Sequence, residues 1–163
     1  GLRMIPVYIG ISESFRFLEG MTERSILKHT NADVEIIHLY PEVESGCTGF
    51  SDVRYTIKKC IYLDVDMIVL GDIAELWSYP RPGKFVCMHD GSTAVSVIDC
   101  DHNCKNKTEQ HLLPKETIIP TEWNMEDKVE KGMKLLHFTN MHTQPWFYDH
   151  PNKEALKIYD EYK

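Results

Sequence analysis

The sequence has 163 residues and no apolar run near the ~20 that a membrane-spanning helix needs; its longest, around Met67 to Leu70, stops far short. The N-terminus passes from Gly1-Leu2-Arg3-Met4 straight into a strand-like segment, without the apolar stretch and small-residue cleavage site of a signal peptide. The cytoplasm is therefore the default expectation. Positive charge is scarce: 18 basic against 25 acidic side chains give a net charge of −7. That balance argues against a nucleic-acid partner, because neutralising phosphates takes a basic surface; a small basic pocket stays open. Cysteines number five (Cys47, Cys60, Cys87, Cys100, Cys104), and an odd count excludes a complete disulfide framework and favours reduced thiols. Cys100 and Cys104, near His102 and His111, have zinc-like spacing but lack a second C-x-x-C pair.

What is present reads as one α/β domain over residues 4–163, with Gly1–Arg3 as residues appended ahead of Met4. At this length roughly 70% of the unfolded chain's surface is buried on folding, enough for one sizeable core. Ile5 to Ile11 is a β-rich run, and Ser12 offers an N-cap to a helix over about Glu13 to His29. Val34 to Leu39 is a second strand, and a helix over roughly Ser51 to Lys59 follows a loop. Cys60 to Leu70 is an apolar run interrupted only by two aspartates, which fits one buried central strand. Gly71 to Trp77 reads as a turn and short helix, and Pro80 to Gly83 as a loop. Phe85 to Met88, Ala94 to Ile98 and Leu135 to Phe138 are further strands; Asp101 to Thr117 is loop, and Asn152 to Tyr162 a last helix. The early β-α-β-α-β alternation predicts a mixed, mostly parallel sheet flanked by helices.

Asp64 and Asp66 stand two apart, so in an extended backbone their side chains share a face. At ~5.5 Å and an effective dielectric of about 20, two carboxylates repel by about 3 kcal/mol. A divalent cation offsets that most directly, since hard Mg²⁺ or Mn²⁺ takes oxygen ligands and fills its shell with phosphates and water. The other reading makes one aspartate a turn cap and pairs the second with Arg54 or a lysine. His137, at the end of the Leu135 strand, adds an imidazole that favours Mn²⁺ over Mg²⁺. Trp146 and Phe147 by themselves read as core aromatics.

Several blocks, taken together and in order, carry a family resemblance: IPVYIGISESF (Ile5 to Phe15), RSILKHTNADVEIIHL (Arg24 to Leu39), GCTGFSDVRY (Gly46 to Tyr55), YLDVDMIVLGDIAELW (Tyr62 to Trp77), EWN (Glu122 to Asn124) and LLHFTNMHTQPWF (Leu135 to Phe147). The chain resembles glycosyltransferase family 8, of GT-A fold, as a compact member of bacterial or phage type. The resemblance implies transfer of a sugar from a nucleotide diphosphate sugar, a UDP-glucose or UDP-galactose type donor, to a hydroxyl acceptor with retention. It implies Asp64, Asp66 and His137 as ligands of Mn²⁺, with Mg²⁺ as the alternative ion. Tyr8, Gly10, Ser12, Arg54 and the Val65 backbone would bind the nucleotide sugar, joined by Gln144 and Trp146. Asp90 and Thr93, with His89 beside them, would lie near the donor sugar as the catalytic group.

Two departures stand out. Relatives present a lysine before Pro-Trp, where this chain has Gln144, one residue further along, leaving Lys134 or another base to compensate. The stretch from Cys104 to Pro120 also lacks the acidic, glutamine-rich block of many members, with Glu109 and Gln110 the nearest candidates. A nucleotide-sugar and metal-binding protein with little transferase activity is the alternative function. A nucleotidyltransferase would carry a Gly-rich basic loop where Ile11-Ser12-Glu13-Ser14 stands, and a receiver-like domain would need a phospho-accepting aspartate at another strand end. The Trp77 region and the aromatic C-terminus are read as a candidate homodimer contact.

Overall fold

A computed structural model describes residues 4–40, 59–79, 85–90, 92–99 and 114–163. Among the described residues nine strands run in the order β1 (Ile5–Gly10), β2 (Val34–Leu39), β3 (Lys59–Asp64), β4 (Met67–Val69), β5 (Phe85–His89), β6 (Ser92–Asp99), β7 (Lys115–Glu116), β8 (Met125–Glu126) and β9 (Leu135–His137). Helices α1 (Glu19–His29) and α2 (Lys153–Tyr162) accompany them. One six-stranded sheet has the order β2-β1-β3-β6-β5-β7, and a second sheet has β4-β9-β8. Strand β1 lies parallel between β2 and β3. Strand β6 runs antiparallel to both β3 and β5, and β7 closes the edge parallel to β5. In the second sheet β9 is antiparallel to β4 and parallel to β8. The expected mixed, mostly parallel α/β architecture is the one observed.

The apolar run expected as one strand from Cys60 to Leu70 is two strands in two sheets. The chain leaves the large sheet after Asp64, bends through Val65 and Asp66, and enters the small one at Met67. Backbone carbonyls released at such a bend need new donors, since a buried unpaired polar group is costly. Helix α1 supplies one. The buried Thr22 hydroxyl lies 2.7 Å from the Val65 carbonyl and 2.8 Å from that of Met67, sharing its single proton between them. Ser25, one turn on, accepts from the Val69 N–H at 2.9 Å. This explains two polar residues on an otherwise apolar buried face that includes Met21 and Ile26.

The segment expected as one helix from Glu13 to His29 is also divided. A tight helical stretch, Glu13–Leu18, kinks at Phe15 (φ −115°, ψ 15°) before α1 begins. Ser12 makes no side-chain cap; its carbonyl accepts from the Phe15 N–H at 2.9 Å. The Gly71–Trp77 expectation is met by a short helix, Ile73–Ser78, capped by Asp72 through the Ala74 N–H at 2.9 Å. Asn152 caps α2 in the same way through Ala155. Residues Lys115–Glu116, expected as loop, form the edge strand β7, and the two-residue β8 was not anticipated. The expected helix over Ser51 to Lys59 lies outside the described residues except for Lys59, which opens β3. The Pro80 to Gly83 loop and the stretch from Cys100 to Leu113 also lie outside them, and with it Glu109 and Gln110.

The core gathers Ile9 and Leu63 from the large sheet, Ile11 just beyond β1, Ile68 and Leu136 from the small one, and Trp123 and Phe138, all essentially without exposure. Cys60 is a free, buried thiol, pushed up to about 12 by burial and so inert. Trp77, expected at an exposed contact, is half-buried with the Lys59 ammonium 4.2 Å above its ring.

Candidate metal and nucleotide site

Parallel strands β1 and β3 end side by side, with Gly10 opposite Asp64 in register. The carboxyl edge of such a sheet is where open α/β folds bind ligands. Here the chain beyond the strand ends frames a cleft of about 160 Å³, lined by Gly10, Ser12, Phe15, Asp64, Val65 and Asp66. Strand β9 delivers an imidazole to it. Met67 and His137 pair in register, and the Phe138 N–H donates to the Asp66 carbonyl at 3.0 Å. As a result one ligand atom from each of Asp64, Asp66 and His137 lies within 4.8 Å of the others.

Each of the three is fixed by a neighbour. The Tyr62 hydroxyl donates to Asp64 Oδ1 at 2.9 Å, and it can do so only because position 10 is glycine. A β-carbon there would stand 2.2 Å from the Tyr62 oxygen. Asp66 sits on the bend that Thr22 holds. His137 Nδ1 is 2.9 Å from Asn124 Oδ1 in the buried interior.

The electrostatics show a site short of positive charge. Burial, then the neighbouring Asp66 charge, push Asp64 up to about 6, against the partial relief of Tyr62 and His137. For His137 burial favours the neutral ring, but Asp66, Asp64 and Glu126 outweigh it and raise its pKa. The buried Asp66 Oδ1 has no hydrogen-bond partner, although His137 Nε2 stands 3.1 Å away. Between a carboxylate oxygen and a ring nitrogen at that distance, either a proton on Nε2 or a cation must lie. Adjacent ligands ~2.1 Å from an octahedral ion stand ~3.0 Å apart, so the separation suits a divalent metal. Two carboxylates and an imidazole thus form a donor set that fits such an ion.

The other predicted residues fall in several places. Gly10, Ser12 and Val65 line the cleft. Tyr8 is buried in β1, and Arg54 lies outside the described residues. Gln144 is 1% exposed, its Nε2 donating to the Phe138 carbonyl at 2.9 Å, and it does not line the cleft. Trp146 packs edge-on against Phe15, Phe138 and Tyr159 behind it. Lys134, expected to replace the missing lysine, is bound instead to Glu75 at 2.5 Å, with Glu122 at 3.6 Å. It starts two carboxylate contacts at the far end of β9 from His137 and is not available to a phosphate. Asp90, at φ 40°, and His89 line a second cleft of about 260 Å³ with Ser92, Thr121, Asn124, Met125, Glu126 and Lys128. Thr93 follows in β6, its carbonyl accepting from the Ser96 hydroxyl at 2.8 Å, and does not line that cleft.

Asn124 was not singled out from the sequence for any role. Its signal was its place in the Trp-Asn motif, which marks a buried polar residue next to a core tryptophan without saying which side chain it meets.

Residues 51–125 match the model of Glycosyl transferase family 8. Over that stretch the chain resembles glycosyltransferase family 8. No curated protein sequence matches it. Among solved structures it is similar to the apo-form glycosyltransferase GlyE of Streptococcus pneumoniae TIGR4, with a TM-score of 0.68 at 12% identity over 98% of this chain and 60% of that one. It is similar to the bifunctional glycosyltransferase WbbM (TM-score 0.62, 13% identity, 96% of this chain and 51% of that one). It also matches the galactosyltransferase LgtC in complex with donor and acceptor sugar analogs, with a TM-score of 0.62 at 10% identity over 96% of this chain and 94% of that one. These likenesses establish the GT-A fold. The chain spans 60% of the length of GlyE and 51% of that of WbbM.

Proposed function

We propose that the protein is a metal-dependent glycosyltransferase. It binds a nucleotide diphosphate sugar, of UDP-glucose or UDP-galactose type, and transfers the sugar to a hydroxyl acceptor with retention at the anomeric carbon. The observation that carries this reading is the convergence of Asp64, Asp66 and His137 beside a cleft at the carboxyl edge of the sheet. The match to Glycosyl transferase family 8 supports it, as does the likeness to LgtC in complex with donor and acceptor sugar analogs.

Asp64, Asp66 and His137 would hold the ion, and the mixed oxygen and nitrogen donors favour Mn²⁺ over Mg²⁺. When bound, the ion supplies positive charge that stabilises the departing diphosphate. The chain's own residues bind and orient. Gly10 leaves the cleft floor without a side chain, and the Ser12 hydroxyl and the Val65 backbone offer hydrogen bonds to base and ribose. Asp90 and His89, on the second cleft, would meet sugar hydroxyls, with Thr93 following. Arg54 and Tyr8 complete the proposed nucleotide-sugar set; Gln144 and Trp146, expected in it, would act only by packing behind the cleft.

Incubation with UDP-glucose, UDP-galactose and UDP-N-acetylglucosamine plus Mn²⁺, with a broad panel of hydroxyl acceptors, tests the reading by UDP release. Release from at least one donor, lost with chelator, is expected. Donor binding without release from any acceptor mixture would replace the enzyme by a nucleotide-sugar-binding protein.

A further inference from the structure

His137 has two ring nitrogens, and which of them can face a cation is decided by what the other one meets. Nε2 is turned to Asp66 Oδ1 at 3.1 Å, and Nδ1 to Asn124 Oδ1 at 2.9 Å. Asn124 is 2% exposed and placed firmly: its N–H donates to the Thr121 carbonyl at 2.9 Å, and it follows Trp123, which has no exposure at all. The Lys134 N–H, three residues ahead of His137, donates to the Glu122 carbonyl at 2.6 Å, tying the same turn to β9. The Asn124 Nδ2 has no hydrogen-bond partner, and the residue forms part of the wall of the second cleft.

We propose that Asn124 is a positioning residue for the metal site: its Oδ1 holds His137 as the Nδ1–H tautomer and aims Nε2, with Asp66 Oδ1, at the cation. This deepens the proposed metal reading and rests on it. An imidazole with a proton on Nε2 cannot ligate through that nitrogen, the one facing Asp66, and nothing else among the described contacts of His137 offers Nδ1 an acceptor. The opposite orientation of the amide would give Nδ1 an N–H donor instead and leave Nε2 protonated. Against it stands Asp66 Oδ1, which finds no aligned hydrogen bond from Nε2 despite the 3.1 Å approach.

Two measurements on the intact chain decide it. The first is Mn²⁺ affinity, read from the electron paramagnetic resonance of free Mn²⁺, for wild type, Asn124→Leu and Asn124→Asp, with a thermal melt of each. Loss of such a supporting acceptor typically costs about 10- to 100-fold in metal affinity; that loss is expected for Asn124→Leu, with Asn124→Asp, which keeps the acceptor, within about threefold of wild type. Wild-type affinity in a folded Asn124→Leu, or equal loss in both folded variants, would overturn the proposal. The second is ¹⁵N NMR of histidine-labelled wild type without metal, which needs no variant to fold. Read on the neutral ring, at a pH above its raised pKa, a protonated His137 Nδ1 is expected, and a lone pair on Nδ1 with the proton on Nε2 would overturn the proposal. If wild type binds no Mn²⁺, the metal reading fails, and the tautomer still decides the role of Asn124.

Discussion

The Tyr62 hydroxyl occupies the space where a β-carbon on Gly10 would be, 2.2 Å away, and from there donates to Asp64 at 2.9 Å. A requirement for glycine in β1 is thereby linked to the orientation of a carboxylate in β3. In Gly10→Ala the fully buried Tyr62 ring has no room to retreat, so the strands must part or the hydroxyl must leave Asp64. Overpacking of this kind costs about 1–3 kcal/mol. The variant is expected to melt lower and to bind Mn²⁺ at least tenfold more weakly by calorimetry. Unchanged binding would disconnect Tyr62 from the site.

Thr22 provides a second test, far in sequence from the ligands. Thr22→Val keeps the shape but leaves the Val65 and Met67 carbonyls without a donor. A buried group so orphaned costs about 1–3 kcal/mol, and each kcal/mol lowers Tm by about 2–4 °C at this chain length. Metal affinity should fall as well, because the bend carrying Asp66 loosens. A melt lowered with metal affinity intact would make Thr22 a purely structural residue.

The pH dependence follows from the two raised groups. Asp64 titrates at about 6 against an ordinary 3.8, and His137 above 6.5. Each keeps its proton more tightly when folded, so the metal-free protein loses stability as pH rises through about 4 to 6 for Asp64, and again as it passes the raised value of His137. A metal needs both groups deprotonated and replaces those protons. The Tm increment from Mn²⁺ should therefore grow between about pH 5 and pH 8. An increment independent of pH would contradict this assignment of ligands.

Asp127 behaves in the opposite sense. It adopts φ 54°, and its Oδ2 accepts from the Thr139 hydroxyl and from the Thr139 and Asn140 N–H groups. Its Oδ1 meets His150 Nε2 at 3.2 Å. Burial alone would raise its pKa, but these donors together lower it. Its contribution is thus present above the ordinary carboxylate pKa and is lost as pH falls through the lowered one. Asp127→Ala frees the loop after His137 and is expected to cost about 2 kcal/mol in denaturant unfolding. A loss below a few tenths of that would show that the loop holds itself.

The sequence was most legible where periodicity and spacing act locally. Strands β1 and β2, the capped helix α2 and the short helix after Asp72 follow from apolar pattern and cap residues. The aspartate pair was visible as a charge problem needing a cation. What stayed hidden was tertiary. A run of apolar residues does not say where a strand changes sheets, and only Thr22 and Ser25, forty residues earlier, make the break after Asp64 affordable. The same limit applied to Lys134, whose charge looked free until Glu75 and Glu122 folded against it, and to Gln144, whose amide is taken by the Phe138 carbonyl. Asn124 was unreadable for a related reason: its partner His137 lies thirteen residues on, on a neighbouring strand.

The central claim is that Asp66, with Asp64 and His137, holds a cation through which a nucleotide diphosphate binds. Thermal shift with UDP, with and without Mn²⁺, on wild type and Asp66→Asn tests it most directly. UDP is expected to stabilise wild type only when Mn²⁺ is present, and Asp66→Asn is expected to lose the effect. Stabilisation by UDP without metal, or an Asp66→Asn variant that responds like wild type, would contradict it.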